Sequence, residues 1–395
     1  MLLATGGGFG GYIVRTYEVI SADGHLEVPI DFAARVPQRF KDLAPRLIRK
    51  PDGTETWFMD GFERDNVGNL HCGMHYDQWT PATAQTYHNP DGSPRPGTGS
   101  PVQRLREQDH DGIDAEVLFY PVYGPAFMRN MRARNVDAYR AIIRAYNDFL
   151  AEYCSLAPDR LIGCALVPES GVEDAIAEVE RIRRLGLIAI SLTAWPNGTH
   201  APKPDEDDRF WAAVLDLDAR LAVHQTFGMG LNSPDRVALE AAVSASNKQP
   251  PWSYDIGRLI LYGTFDRFTN LKIYFAETGA GWLAHTLCFA DEYYLRWFKY
   301  FDLKLRKLPS QYWRDHCRFS FIIDRLAMPL ARFTGLDLLM WGSDFPHSVG
   351  TYPDSREMLD DMFEEVSAQA RRAVLVDNVC EFFGLDPDRS LTPTP

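Results

Sequence analysis

Short apolar runs alternate with segments of helical periodicity along most of the chain, and this alternation limits the fold more than any other feature. Eight runs have the length and composition of buried strands: Glu18–Ser21, Ala115–Tyr120, Leu161–Val167, Ile188–Thr193, Leu221–His224, Lys272–Ala276, Arg318–Ile322 and Leu338–Gly342. Repeated strand and helix units of this kind pack as a parallel sheet covered by helices. The pattern therefore predicts an α/β protein.

The segments between these runs have the apolar spacing of helices that pack on a sheet. Val136–Pro158 and Gly171–Gly186 are clear examples, and the second ends in glycine, which commonly terminates a helix. Eight strands separated by helices favour a closed (β/α)8 TIM barrel over an open sheet. An open nucleotide-binding sheet would carry a glycine-rich loop after an early strand, whereas the glycines of residues 6–11 precede the first strand. We interpret residues 6–11 as a flexible terminal segment.

Two stretches interrupt the alternation. Residues 31–105 are rich in Pro, Gly, Asn, His and Trp and contain no amphipathic helix of barrel length, which predicts a long insertion after the first strand. A lid or pocket wall and a solvated loop are the two interpretations of this insertion. A shorter insertion, Phe227 to Tyr254, follows the fifth strand. Both belong to a single predicted domain that spans residues 1–395.

Charge and cysteine usage exclude several classes of partner. Acidic residues outnumber basic ones, 54 to 41, and the net charge of −13 opposes binding to nucleic acid or to an anionic membrane. No apolar run approaches the length of a transmembrane helix, and the glycine-rich N-terminal segment does not have the pattern of a secretory signal. The six cysteines are scattered without a C-x-x-C spacing, so we expect neither a zinc knuckle nor a disulfide framework. A reduced cytoplasm is the expected location.

Ionisable residues stand at the ends of four predicted strands. They are Asp23 and His25 after the first strand, His224 at the end of the fifth, Glu277 after the sixth, and Asp344 with His347 after the eighth. The carboxyl ends of barrel strands meet at one mouth, so these side chains should lie close together. Imidazole and carboxylate groups are typical ligands of divalent metals such as zinc and manganese.

Each of these residues alone also has a structural explanation. His224 could be a hydrogen-bonded residue at a strand end, Asp23 could cap a turn, and Asp344 could begin an Asx turn. Their coincidence favours the metal site, because carboxylates grouped at one mouth repel each other unless a cation joins them.

Six segments carry a resemblance to a known family: SADGHLEVP, QDHDGIDAEVLFYP, RLIGCALVP, LAVHQ, LKIYFAETGAGWL and MWGSDFPHSVGTYPDS. From about residue 19 to residue 383 the chain resembles the amidohydrolase-related (amidohydrolase 2) enzymes of the amidohydrolase superfamily. The resembling branch contains amino-carboxymuconate-semialdehyde decarboxylase and gamma-resorcylate decarboxylase. The resemblance implies a (β/α)8 barrel with one divalent metal, zinc first and manganese as the alternative. The implied ligands are Asp23, His25, His224 and Asp344.

The chain departs from the family pattern at three places. Asp23 stands where some relatives have His or Glu, which keeps an oxygen ligand but shortens its reach. The fourth strand, LIAISLTAW, lacks the lysine that two-metal relatives carbamylate, so the resemblance implies a single metal. Glu277 stands where several relatives have a histidine, and it could serve as a general base, a proton relay or a further ligand.

The resemblance implies two chemistries. In a carboxy-lyase acting on an aromatic or unsaturated carboxylic acid, Asp344 or Glu277 would carry the proton. In a hydrolase of an ester, lactone, amide or C–C bond, Asp344 would accept a proton from a metal-activated water, and Glu277 or His347 would return it. The resemblance favours the lyase. A barrel that binds without catalysis ranks last, because all four ligand positions hold competent residues.

Three further features have two or more interpretations. Aromatic residues in and near the insertions either form walls for an aromatic substrate or pack the insertions onto the barrel: Trp57, Phe58, Trp79, Tyr87, Trp252, Tyr254 and Trp282. His71 and His75 could form a second metal site, contact substrate or lie at the surface. The aromatic segment Asp291–Pro309 is explained equally by a homodimer interface and by packing on the barrel.

Overall fold

Eight parallel strands form a single sheet in the computed structural model, which describes residues 15–59, 61–64, 72–74, 87–89, 91–121, 124–198, 203–224 and 252–395. The strands are Ile20–His25, Ala115–Phe119, Leu161–Leu166, Ala189–Leu192, Arg220–Val223, Ile273–Phe275, Cys317–Phe321 and Leu339–Trp341. Each strand pairs in parallel with the next in chain order. The predicted (β/α)8 barrel is confirmed, and each strand overlaps one of the predicted runs.

The first and eighth strands meet and bring the sheet close to a full barrel. The backbone N–H of Asp344 donates to the carbonyl of Asp23 at 2.9 Å, and the N–H of His25 donates to the carbonyl of Phe345 at 2.7 Å. A Cβ atom at Gly342 would lie 2.4 Å from the Cβ of Asp23, so a larger residue there would force the strands apart. The strand ends that carry the predicted site residues are thus joined directly.

The first strand is longer than predicted. The apolar pattern predicts Glu18–Ser21, whereas the strand extends to His25, with a register irregularity between Ser21 and Gly24. Gly24 and His25 pair with Leu118 and Phe119 of the second strand, which continues the ladder past the apolar residues. Polar residues of the site therefore belong to the strand itself.

Helices lie between and after the strands, and the longer ones, such as Val136–Cys154, bury apolar residues. The helices are Pro101–Asp111, Gly124–Arg134, Val136–Cys154, Val172–Arg184, Asp208–Asp216, Trp252–Leu261, Thr264–Arg267, Leu283–Trp297, Pro309–His316, Ala327–Thr334, Ser355–Met362, Ala368–Arg372 and Asn378–Phe383. The two helices singled out from the sequence are present, and each is shorter than predicted at its C-terminal end. The side chain of Asn135 caps the longer one by accepting the N–H of Ala138.

Between the first and second barrel strands lie short elements of a different kind. Two 3-10 helices, Phe32–Arg35 and Gln38–Leu43, precede a small antiparallel sheet. Its strands are Arg46–Arg49, Glu55–Met59 and Phe62–Arg64. The helix Pro101–Asp111 begins before the predicted boundary at 105, because Ser100 caps it by accepting the N–H of Gln103. A lid formed by residues 31–105 within a single domain stays a prediction.

Several predicted features lie outside the described residues. These are the glycines of residues 6–11, His71, His75, Trp79 and most of the second insertion. Within the described ranges, no helix combines the length and apolarity needed to span a membrane. The six cysteines are free thiols, and only Cys288 is exposed.

Candidate metal centre

Side chains from the ends of the first, fifth, sixth and eighth strands meet at one end of the barrel. The Nε2 atom of His25 lies 3.7 Å from Asp23 Oδ1 and 3.3 Å from Asp344 Oδ1. The Nε2 atom of His224 lies 3.6 Å from Asp23 Oδ1 and 3.2 Å from Glu277 Oε2. The structure therefore brings together residues that are more than 300 positions apart in the sequence.

Candidate ligand atoms fall into two overlapping groups. One group contains Asp23, His25 and His224, and the other contains His25, Glu277, Asp344 and His347. The atoms within each group lie within 4.8 Å of one another. This spacing is short enough for several of them to contact one ion, since metal ligand bonds are about 2 Å long.

A backbone hydrogen bond fixes the orientation of His25. Its Nδ1 atom lies 2.6 Å from the carbonyl oxygen of Tyr120, which can only accept a hydrogen bond. Nδ1 therefore carries the proton, and Nε2 presents its lone pair to Asp23 and Asp344. This arrangement is common for metal-ligating histidines, whose second nitrogen is held by a carbonyl or carboxylate.

His347 contacts two members of the centre. Its Nδ1 atom lies 2.7 Å from Asp344 Oδ1, and its ring stacks on His25 with the centroids 3.9 Å apart. The structure thus places His347 beside Asp344, where the two side chains can share a proton.

The backbone at Glu277 and Asp344 is in the left-handed region. Their φ angles are 57° and 55°, which non-glycine residues rarely adopt and which costs about 1–3 kcal/mol. The seventh strand stabilises this conformation at Glu277. The backbone N–H of Glu277 donates to Ser320 Oγ of that strand at 2.9 Å. Asp324 Oδ2 accepts the N–H groups of the following residues 280 and 281. The sixth and eighth strand ends are therefore turned sharply at the residues that reach the centre.

Burial controls the charges of the centre. Burial lowers the pKa of both His25 and His224 to about 4, so both rings are neutral at pH 7, the form that binds metals. Burial and the nearby Asp344 raise the pKa of Asp23 well above its usual range. Burial acts in the same direction on Asp344, but His347 and His25 outweigh it and hold its pKa below the usual range.

The donor set fits a divalent cation. Both carboxylate oxygens of Asp23, Nε2 of His25 and Nε2 of His224 are buried and have no hydrogen-bond partner in the described part of the chain. Buried polar atoms in this state cost free energy, so native proteins nearly always provide a partner. A cation bound between these nitrogen and oxygen atoms would supply it, and such mixed ligands suit zinc and manganese.

A cavity of about 1000 Å³ adjoins the centre. Glu277 belongs to its lining, together with Met74, Ile322, Val349, Tyr352 and Met358. Within the described lining, Tyr352 is the one aromatic ring, and it is not among the aromatic residues singled out from the sequence. The sequence signal that could have identified Tyr352 is its position in GTYPDS, a few residues after Asp344 at the mouth of the barrel.

Three of the predicted aromatic walls pack elsewhere. Trp57 and Tyr87 are buried and contact each other edge to face, with ring centroids 5.3 Å apart. Trp282 packs against Trp313 at 5.9 Å. Trp57 and Tyr87 therefore pack against each other within the insertion. Trp282 also contacts Phe319 of the seventh strand at 5.9 Å, so it packs on the barrel, which was the second interpretation.

A (β/α)8 barrel with imidazole and carboxylate groups gathered at the carboxyl ends of its strands defines a metal-dependent barrel enzyme. A model of the amidohydrolase family (amidohydrolase 2) matches residues 71–385, and the chain belongs to this family. The family inferred from the sequence motifs is confirmed. The protein is therefore a metal-dependent enzyme of the amidohydrolase superfamily, a carboxy-lyase or a hydrolase.

Three known proteins illustrate the similarity, two in sequence and one in fold. The chain is 25% identical over 312 residues to 2-amino-3-carboxymuconate-6-semialdehyde decarboxylase of Dictyostelium discoideum, covering 74% of this chain and 78% of that protein. It is 28% identical over 204 residues to gamma-resorcylate decarboxylase of Rhodococcus jostii, covering 46% of this chain and 57% of that protein. A dihydroxybenzoic acid decarboxylase from Polaromonas, solved with bound manganese and the inhibitor 2-nitroresorcinol, superposes with a TM-score of 0.62. That match covers 93% of this chain and 96% of the other at 17% identity, and shows the fold alone.

Proposed function

We propose that the protein is a mononuclear metal-dependent carboxy-lyase that acts on an aromatic or unsaturated carboxylic acid. The position of Glu277 carries the proposal: its carboxylate contacts the candidate metal centre at His224 and also lines the adjoining cavity. An acid in this place can reach both the centre and a substrate in the cavity. The two curated relatives described above are decarboxylases, which supports lyase over hydrolase chemistry.

One cation would be held by Asp23, His25, His224 and Asp344. The fourth strand, Ala189–Leu192, offers no lysine for a second metal, which supports a mononuclear site. Zinc, expected from the resemblance, and manganese, bound in the related Polaromonas enzyme, both suit these donors. When bound, the cation would orient and polarise the substrate's carboxylate and a neighbouring oxygen.

Glu277 would supply the proton. The protonated Glu277 carboxyl donates its proton to the substrate carbon that bears the carboxylate, and a π electron pair of the substrate forms the new C–H bond. The bond from that carbon to the carboxylate then breaks, its electron pair restores the π bond, and carbon dioxide leaves. Glu277 regains a proton from water in the cavity, which its position in the lining allows.

Asp344 and His347 would act within the centre. Asp344 is fully buried, and its Oδ1 atom faces Nδ1 of His347 at 2.7 Å. His347 can hold a proton at Nδ1 and keep Asp344 ionised for the cation. His347 also stacks on the ring of His25, which limits its movement away from Asp344.

The substrate class is proposed from the cavity. Its described lining includes Tyr352, Ile322, Val349 and Met358, which offer apolar surface and one ring. A flat apolar acid would pack on such a surface with its carboxylate toward the centre. Hydroxylated benzoic acids have this shape and charge.

Metal analysis coupled to a substrate screen tests the proposal. Purified protein should hold close to one divalent ion per chain, measured by inductively coupled plasma mass spectrometry. Incubation with hydroxylated aromatic acids should release carbon dioxide, while esters, lactones and amides should stay intact. Cleavage of an ester, lactone or amide without carbon dioxide release would show a hydrolase instead.

We propose further that the protein forms a homodimer through an aromatic face on the helix Leu283–Trp297 and the turn after it. This helix buries Leu283, Thr286 and Leu287 toward the barrel. The aromatic face consists of exposed rings: Phe289, Tyr293, Trp297, Tyr300 and Phe301. Exposed charges of both signs lie on the same helix and turn, at Glu292, Arg296 and Lys299. A surface with both signs can pair with its own copy across a two-fold axis, which supports a second copy as the occupant.

The aromatic face has a direct test. Trp297→Glu should convert a dimer to a monomer, because it buries a charge in the centre of the interface. Light scattering coupled to gel filtration gives the mass. Leu185→Glu, at an exposed leucine elsewhere on the surface, is the control and should leave the mass unchanged. A monomeric wild-type protein would refute the proposal.

A cytoplasmic location is also proposed. All six cysteines are free thiols, and five are buried away from oxidants. Such usage suits a reducing compartment.

A further inference from the structure

A buried ion pair lies next to the backbone that carries the candidate ligands Asp23 and His25. Arg104, on the helix Pro101–Asp111, and Glu116, on the second barrel strand, have side chains only 1% and 2% exposed. Arg104 Nε donates to Glu116 Oε2 at 2.7 Å, and Arg104 Nη2 lies 3.3 Å from Oε1. Replacing a buried ion pair by apolar residues is often neutral or stabilising, so stability alone is a weak reason for its presence. Neither residue takes part in the proposed proton transfer or in holding the cation.

The guanidinium of Arg104 reaches the end of the eighth strand. Its Nη2 atom donates to the carbonyl of Phe345 at 3.2 Å, and its Cζ atom lies 4.3 Å from the centroid of the Phe345 ring. The same carbonyl accepts the N–H of His25 at 2.7 Å. Arg104 is therefore linked to His25 by a shared acceptor and to Asp344 through the adjacent residue.

The pair also touches the backbone between the first two candidate ligands. A Cβ atom at Gly24 would lie 3.1 Å from Arg104 Nη2 and 3.1 Å from Glu116 Oε1. Glycine at this position lets the ion pair pack against the backbone that joins Asp23 and His25. The side chains of Arg104 and Glu116 thus contact both strand ends that supply candidate ligands at the point where the barrel closes.

We propose that Arg104 and Glu116 are positioning residues that fix the separation between the Asp23–His25 segment and Asp344, and thereby set the affinity for the cation. The inference rests on the proposed metal centre, and neither residue contacts the substrate. Residues that hold metal ligands in place typically change metal affinity by about 10- to 100-fold when they are mutated. The same range is expected here.

A double variant, Arg104→Leu with Glu116→Leu, tests the role. Removing both charges together avoids leaving one of them buried and unpaired. The Gln108 side-chain amide, which donates to Glu116 Oε2 at 2.8 Å, loses one acceptor. We expect the dissociation constant for Zn²⁺, measured by competition with a chromophoric chelator, to rise about 10- to 100-fold. The metal-free protein should unfold at a similar denaturant concentration to the wild type.

The chain offers a matched control pair. Glu178 is also buried, and it accepts Arg181 Nη2 at 2.7 Å and the side-chain amide of Asn147 at 2.8 Å. Glu178 and Arg181 lie on the helix Val172–Arg184, and Asn147 lies on the helix Val136–Cys154; both helices belong to the outer layer of the barrel. Arg181→Leu with Glu178→Leu likewise removes one arginine and one buried glutamate, although Arg181 is more exposed than Arg104 and also pairs with Asp148. The control should bind Zn²⁺ with wild-type affinity.

The outcomes separate this role from the metal centre itself. A wild-type protein that binds no cation would refute the centre. Equal Zn²⁺ affinity in the wild type and in the Arg104/Glu116 double variant would refute the positioning role but not the centre. An equal loss of Zn²⁺ affinity in the Arg104/Glu116 and Arg181/Glu178 double variants would also refute the positioning role. If the double variant does not fold, Arg104→Lys keeps the charge opposite Glu116 but lacks the forked donor for Phe345. A weaker affinity in that variant, with unchanged unfolding, supports the role, and a wild-type affinity overturns it.

Discussion

The His224→Ala and Asp344→Asn variants should each lose the bound cation and all measurable activity. His224→Ala removes a buried Nε2 atom that faces Asp23 and Glu277. Asp344→Asn keeps the size of the side chain but removes the charge that faces His25 and His347. Without His224 the cation has too few ligands, and without the charge of Asp344 the site is too weakly negative, so neither variant should bind the cation tightly. Metal content per chain and carbon dioxide release are the two measurements.

A buried histidine elsewhere provides the control for this experiment. The Nδ1 atom of His316 lies 2.7 Å from the carbonyl oxygen of Leu271, and its ring stacks on Phe265, so it shares the burial of His224 but not its neighbours. His316→Gln should keep one cation per chain. Full metal occupancy in either His224→Ala or Asp344→Asn would exclude that residue as a ligand.

Glu277→Gln should keep the cation and lose most of the turnover. The amide cannot donate a carboxyl proton to the substrate carbon, and general acids contribute about 100- to 10,000-fold to rates. The four proposed ligands remain, so metal content should stay near one per chain. The value of kcat with a responsive aromatic acid, measured together with metal content, checks both parts of the prediction.

Asp354 provides the matched control for Glu277. It is a second carboxylate in the lining of the same cavity, and its side chain makes no capping hydrogen bond to the helix it precedes. Asp354→Asn should keep near wild-type turnover, since Asp354 is not among the grouped ligand residues in the described part of the chain. A wild-type rate in Glu277→Gln would remove Glu277 from the chemistry.

Local patterns in the sequence were sufficient to predict the barrel. The apolar runs and helical periodicity depend on nearest neighbours in the chain, and burial of those runs gives each strand and helix. The same patterns located Asp23, His224, Glu277 and Asp344, because an ionisable residue interrupts each apolar run where the strand ends. The boundary of the first strand was wrong, since its last residues pair with the second strand and bond to the segment after the eighth, which no local pattern records.

The sequence by itself determined the barrel, the family and the residues able to bind a metal, because periodicity, residue type and motif are properties of short segments. Only the tertiary structure decided which atoms face one another. The Nε2 orientation of His25 depends on the carbonyl of Tyr120, and the contact of Arg104 with Phe345 depends on closure of the barrel. Glu116 was visible in the sequence as a charge inside an apolar strand, but its partner is set by packing between a helix and two strands. Such contacts join residues far apart in the chain, so their geometry is fixed only when the whole barrel has folded.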